Sequence, residues 1–186
     1  MRLFVAIDLD DEARTAIARL QERIGNALGA ERSLKPVNPS HMHLTLAFLG
    51  EIAEPAVPPI VDVLSGNIDL RSFAAEFQGL GVFPARGAPR VLWLGVEQGA
   101  HEIVEVQREV ASRLEGVGVV LERRPFHPHL TLARWRASHP ADRPRALSVE
   151  SREVVARVSV DHVTLYQSRL SPAGPTYTAL ARANLT

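Results

Sequence analysis

Two stretches of the chain carry nearly the same seven letters: "HMHLTLA" at residues 41 to 47 and "HPHLTLA" at residues 127 to 133. On a β-strand, side chains two apart share a face, so His41, His43 and Thr45 are expected on one face and Leu44 and Leu46 on the other. The second copy places His127, His129 and Thr131 opposite Leu130 and Leu132 in the same way. An imidazole with an ordinary pKa of about 6.5 is neutral or charged near neutral pH, so two facing rings supply both a base and an acid. That pair suits cleavage of a phosphodiester: one ring takes a proton from the attacking oxygen, the other protonates the departing oxygen, and the threonine hydroxyls donate to nonbridging oxygens. A single His-x-Thr reads as a carbonyl-bonded imidazole beside a common strand residue. Core packing gives no reason to write it twice. Four imidazoles also make a possible metal ligand set, although mononuclear hydrolytic sites usually add a carboxylate, which neither heptapeptide has.

The elements that must position these residues follow from periodicity. "RLFVAIDL" (2–9) alternates as a strand with Leu3, Val5, Ile7 and Leu9 on one buried face. A helix follows, capped by Asp10 or Asp11, with Ala13, Ile17, Leu20, Ile24 and Leu28 in a stripe and Gly29 as its stop. The first heptapeptide lies on a strand closed by Gly50, and residues 56 to 65 suggest a short helix starting near Pro58 and Pro59. "FAAEFQGLGVFP" and "RVLWLGVE" read as a hairpin, and "HEIVEVQREVASRLEGVG" as a second amphipathic helix on Ile103, Val106, Val110 and Leu114. The second motif strand runs "FHPHLTLARW"; "ARVSVDHVTLYQS" alternates as one further strand and "GPTYTALARANL" as the last, with 137 to 152 unassigned. The expectation is an α+β protein, 1–186 as one catalytic domain, with a pseudo-duplicated core of antiparallel strands, helices on the outer faces and the motif strands facing each other.

Composition narrows the classes. A 46% hydrophobic and 23% charged chain is ordinary for a soluble globular protein, and no apolar run approaches the roughly 18 residues of a membrane span. The N-terminus lacks the features of a secretory signal, so a cytoplasmic location is expected. The absence of cysteine excludes disulfides, thiolate metal sites and a cysteine nucleophile. Net charge is zero, without a global field for nucleic acid, yet Arg123, Arg124, Arg134, Arg136, Arg143 and Arg145 gather around the second heptapeptide against Glu122 and Asp142. This cluster is either a solvated face or a phosphate-binding one.

"HLTL" at 43 to 46 and again at 129 to 132 resembles the paired signature of the 2H phosphoesterases, and of the RNA 2′,3′-cyclic phosphodiesterases, or 2′-5′ RNA ligases, in particular. "RLFVAIDL", "HLTLAFLGE", "RVLWLGV", "FHPHLTLAR" and "VTLYQSRLSPAGPTY" extend the similarity, in that order, over most of the chain. The resemblance implies a bilobal, pseudo-twofold fold with the active site in the groove between lobes. It implies metal-independent, cofactor-free opening of a 2′,3′-cyclic phosphate at the end of a tRNA-like or oligonucleotide RNA to a 2′-phosphate, with possible reverse 2′-5′ ligation, by a monomer that needs no membrane. It assigns His43 as proton donor and His129 as proton acceptor, a direction the near-symmetric motifs cannot themselves supply. Thr45 and Thr131 would hold the phosphate, and Arg134 would lie near it.

Strict alternation places Arg134 on the leucine face, so that role requires a twist, bulge or strand end between Ala133 and Arg134. His41 and His127 stand outside the signature, lining the groove mouth or incidental. Phe48, Phe83 and Trp135 are candidate base platforms, while Trp93 reads as core from its neighbours. The same histidines could act on a small cyclic nucleotide, ADP-ribose cyclic phosphate or 2′-5′ oligoadenylate, or could merely grip an RNA end.

Overall fold

The structure is a computed structural model that describes residues 1–29, 33–123, 125–149, 153–172 and 174–186. Its elements are β1 (Arg2–Asp8), α1 (Asp11–Leu28), β2 (Leu34–Pro36), β3 (His43–Glu51), α2 (Val57–Val63), β4 (Phe73–Phe83), β5 (Val91–Val96), α3 (Ala100–Gly116), β6 (His129–Trp135), α4 (Asp142–Leu147), β7 (Ala156–Val160), β8 (His162–Ser171) and β9 (Gly174–Asn184). Helix α1 begins where the Asp10 carboxylate accepts from the Ala13 N–H at 2.7 Å, buries the five residues of its apolar stripe, and ends at Gly29, whose φ of 75° is a left-handed value suited to glycine.

All strand pairs within the two sheets are antiparallel, in the orders β3-β1-β8-β9 and β2-β6-β5-β4-β7. Leaving out β2, the sheets correspond strand for strand, with the motif strands β3 and β6 in equivalent positions and adjacent to each other between the sheets. The helices are exchanged. Helix α1 leaves the first sheet but packs against β7 and α4, and its Gln21 amide donates to the Leu132 carbonyl of β6 at 2.7 Å. Helix α3 leaves the second sheet and packs against β3. Apolar residues of both sheets and both long helices belong to one continuous cluster.

Three expectations change. β1 is buried on both faces: Leu3, Val5 and Ile7 are joined by Phe4 and Ala6, because β1 is an interior strand whose second face lies under the site. "ARVSVDHVTLYQS" is two strands. The alternation slips by one residue at Asp161, from Ala156, Val158 and Val160 to Val163 and Leu165, and there the chain passes from β7 in the second sheet to β8 in the first through a single residue. The unassigned 137–152 stretch contains α4, and its residues 150–152 lie outside the described residues.

Candidate active site

The inner histidines open their strands, and each is held alike. His43 Nδ1 lies 2.9 Å from the His41 carbonyl and His129 Nδ1 lies 2.7 Å from the His127 carbonyl. A carbonyl oxygen only accepts, so in both rings Nδ1 carries the hydrogen and proton exchange is left to Nε2. This gives the outer histidines a part that side-chain reasoning missed. His41 sits on a 3-10 turn (Pro39–His41) and His127 precedes β6; their rings still stand on the same side as the inner ones, His127 stacked 6.2 Å from His129 and His41 edge-on to the Tyr177 ring that also meets His43, and each in addition contributes its backbone oxygen.

Thr45 and Thr131 lie two residues on, half-buried, while Leu44, Leu46, Leu130 and Leu132 are buried in the core. The register then slips. Leu92 pairs with Ala133 but Trp93 pairs with Thr131, so β6 carries one extra residue. Leu132 and Ala133 are consecutively buried, and the following residue, Arg134, returns to the exposed side that Thr131 occupies. The bulge that Arg134 requires is therefore present, between Thr131 and Ala133 rather than after Ala133. β3 repeats it: Ala6 pairs with Thr45 and Val5 with Ala47, Leu46 and Ala47 are both buried, and Phe48 emerges where β6 has Arg134. Phe48 is 51% exposed with the Arg2 guanidinium 5.0 Å above its ring.

Aromatic rings wall each imidazole. Phe4 stacks on His43 at 4.6 Å and 26°, and Tyr177 meets the same ring edge-on at 5.4 Å. Phe83 meets His129 edge-on at 5.1 Å, and Trp93 lies 4.9 Å from His127 and 6.1 Å from His129. Trp93 is thus a site-wall residue rather than core: its neighbours Leu92 and Leu94 are fully buried on one face, and the indole takes the other. Trp135 packs against the core. Alternation within "RLFVAIDL" and "RVLWLGV" was the signal that would have put Phe4, Asp8 and Trp93 on the histidine face.

Burial holds the His43 imidazole below its ordinary pKa of 6.5; the His41 carbonyl and the Asp8 carboxylate pull it up, and His41 and Arg14 push it further down. Burial raises the Tyr177 phenol, opposed by Arg2 and by Arg134 from the other sheet, so the two motif faces sense one another electrostatically. Tyr166 is pushed up to about 12 by burial and by its bond to Asp8. Of the arginine cluster, Arg143 donates to the Pro84 and Gly87 carbonyls and Arg145 to the Leu28 carbonyl, both structural ties, while Arg124 lies outside the described residues. Among the described residues no three His, Asp or Glu side chains converge as a metal ligand set. No described helix is long and apolar enough to cross a membrane.

Two antiparallel sheets that present mirrored His-x-Thr strands define a class, and solved structures share it over the whole chain. A Thermus thermophilus crystal structure superposes with a TM-score of 0.80 at 30% identity, covering 100% of this chain and 98% of that one. Escherichia coli LigT complexed with 3′-AMP gives 0.78 at 29% identity, with coverage of 100% and 98%. The profile described as the 2′-5′ RNA ligase superfamily matches residues 9–171, and the chain belongs to that family. Relatives named RNA 2′,3′-cyclic phosphodiesterase include one from Archaeoglobus fulgidus, 35% identical over 179 residues (95% of this chain, 96% of the relative), and one from Thermus thermophilus, 35% identical over 190 residues (100% and 90%).

Proposed function

We propose that the chain hydrolyses RNA 2′,3′-cyclic phosphate ends to 2′-phosphomonoesters, with His129 as base and His43 as acid. His129 Nε2 takes a proton from water as its oxygen bonds to phosphorus; the bond from phosphorus to the 3′ oxygen breaks, and His43 Nε2 delivers its proton to that oxygen. Thr45 and Thr131 donate hydroxyl hydrogens to the nonbridging oxygens, and Arg134, brought to this side by the bulge, neutralises the charge that builds on them. The same step with a 5′-hydroxyl in place of water would give a 2′-5′ linkage: the 5′ oxygen loses its proton to His129 and bonds to phosphorus, and the 3′ oxygen leaves with the proton from His43. Relatives carrying the cyclic phosphodiesterase name support the substrate class. The observation that carries the reading is the identical Nδ1 anchoring of two imidazoles, one per sheet, each followed by a threonine.

The test is incubation with excess chelator and an oligonucleotide ending in 2′,3′-cyclic phosphate, with identification of the product isomer. A 2′-phosphate formed in chelator is expected. Loss of at least about 10³-fold is expected for both His43→Ala and His129→Ala, with unchanged far-ultraviolet circular dichroism. A chelator-sensitive rate, a 3′-phosphate product, or full activity in either variant overturns it.

A further inference from the structure

The motif is nearly symmetric, and its surroundings are not. In the first sheet Asp8 is the cross-strand partner of His43; in the second, the equivalent partner of His129 is Gly95, which has no side chain. Directly opposed residues of an antiparallel pair project from the same face with Cβ atoms roughly 5 Å apart, so the Asp8 carboxyl and the His43 imidazole rise from one face and the carboxylate's charge acts on the ring. The carboxyl is fixed from its other side. Thr164 donates its hydroxyl to Oδ2 at 2.8 Å, Tyr166 donates to Oδ1 at 2.7 Å, and His162 Nε2 lies 3.3 Å from Oδ2. Thr164 is fully buried, and Tyr166 is clamped against Phe4, the ring on which His43 stacks. Three residues of β8 thus hold one carboxylate in place on the face that carries the His43 ring.

We propose that Asp8 is the positioning residue that favours His43 as the proton donor, by stabilising its imidazolium form from the cross-strand position that Gly95 occupies opposite His129. The proposal rests on the two-histidine reading above. An acid catalyst must enter the reaction protonated, and a carboxylate beside it favours that state, whereas a base must enter neutral. The remaining charged and titratable groups around this ring are accounted for by element: Arg14 of α1 and His41 before β3 oppose protonation, and Tyr177 of β9 meets the ring edge-on. Around Asp8 itself are His162, whose Nδ1 faces Asp161, Tyr166, and Arg182 of β9, which acts on Tyr166. Burial holds the His43 ring below its ordinary pKa, and among the groups acting on it Asp8 is the one whose negative charge offsets that loss and favours the cation.

The test is Asp8→Asn, which keeps the shape and an acceptor oxygen while removing the charge. Without the carboxylate the His43 cation is lost at lower pH, so the ratio of wild-type to variant kcat/KM should approach one at the acid end and rise to about tenfold at pH 8 and above. In nuclear magnetic resonance titrations the His43 ring midpoint should move down and the His129 midpoint stay, and Asp8→Glu should recover most of the alkaline rate. A loss of rate that is the same at all pH values, or an unmoved His43 midpoint, overturns the proposal and leaves Asp8 a purely structural residue. The titration needs no turnover, so it separates the two claims: an active His43→Ala variant refutes the two-histidine reading, whereas an unmoved midpoint in Asp8→Asn with an inactive His43→Ala refutes this one.

Discussion

Gly81 on β4 is the cross-strand partner of Trp93, and the indole lies where a side chain at position 81 would be. A Cβ there would stand 2.0, 2.2 and 2.4 Å from three carbons of the ring, whereas carbon atoms pack at roughly 3.5–4.0 Å. Gly81→Ala therefore forces the indole back by well over 1 Å or parts the two strands. The ring cannot retreat freely, because Phe83 is 5.2 Å away and His127 4.9 Å away, centre to centre. Overpacking of this kind costs about 1–3 kcal/mol, and the gain from replacing a strand glycine returns about 0.5–1 kcal/mol. The net is about 0.5–2 kcal/mol, or a fall of about 1–8 °C in Tm for a chain of 186 residues. Because Trp93 and Phe83 wall His129, a displacement near 1 Å should also cost about 10²-fold in kcat/KM. Melting curves and initial rates on a cyclic-phosphate oligonucleotide read both, and in a companion Trp93→Leu background the space is open, so most of the stability cost of Gly81→Ala should disappear. Unchanged Tm and unchanged rate in Gly81→Ala would refute the claim that the indole is held against the glycine and supports His129.

Two arginines of the same sequence cluster should behave oppositely. Arg134→Ala is expected to lose about 10²-fold in kcat/KM with little change in stability. Arg143→Ala, which loses bonds of 2.8 and 3.0 Å to loop carbonyls, should cost about 1 kcal/mol in urea melts and leave kcat/KM within about twofold. His43, held below its ordinary pKa by burial, adds a pH dependence to folding: its contribution is complete above pH 6.5, the unfolded value, and is lost as pH falls through the lower folded value. Wild type should therefore lose more stability than His43→Gln between pH 7 and pH 5, and equal losses would contradict the burial.

The candidate site stands out in the sequence because strand geometry turns spacing into shared faces, and a repeat at His43, Thr45, His129 and Thr131 is more than packing alone requires. What escaped has definite causes. Period-two reasoning fails wherever a bulge inserts a residue, which is why Arg134 read as facing the core and Phe48 was left without a counterpart. The break at Asp161 shows in the sequence only as a one-residue slip in the alternation, from Val160 to Val163, and a slip marks a bulge as readily as a change of sheet. Three-residue β2, ending in a proline, is too short to carry a period. His41 and His127 act through backbone oxygens, a contribution any residue type could make, and side-chain identity says nothing about it. Asp8 lay in plain view in "RLFVAIDL", but its meaning depends on pairing with a residue 35 positions away, which only the sheet register supplies.

The placement of β1 between β3 and β8 has a consequence for the order of assembly. A ribosome delivers β1 and β3 early, and they can pair while the rest of the chain is still being made. The opposite edge of β1 has no partner until residues 164 to 168 emerge, and with that edge come Thr164 and Tyr166, the groups that fix Asp8. Closing so long a loop is slow, since its entropy must be spent before the contact rewards it. A nascent chain can therefore own both histidines before His43 has the surroundings proposed for an acid.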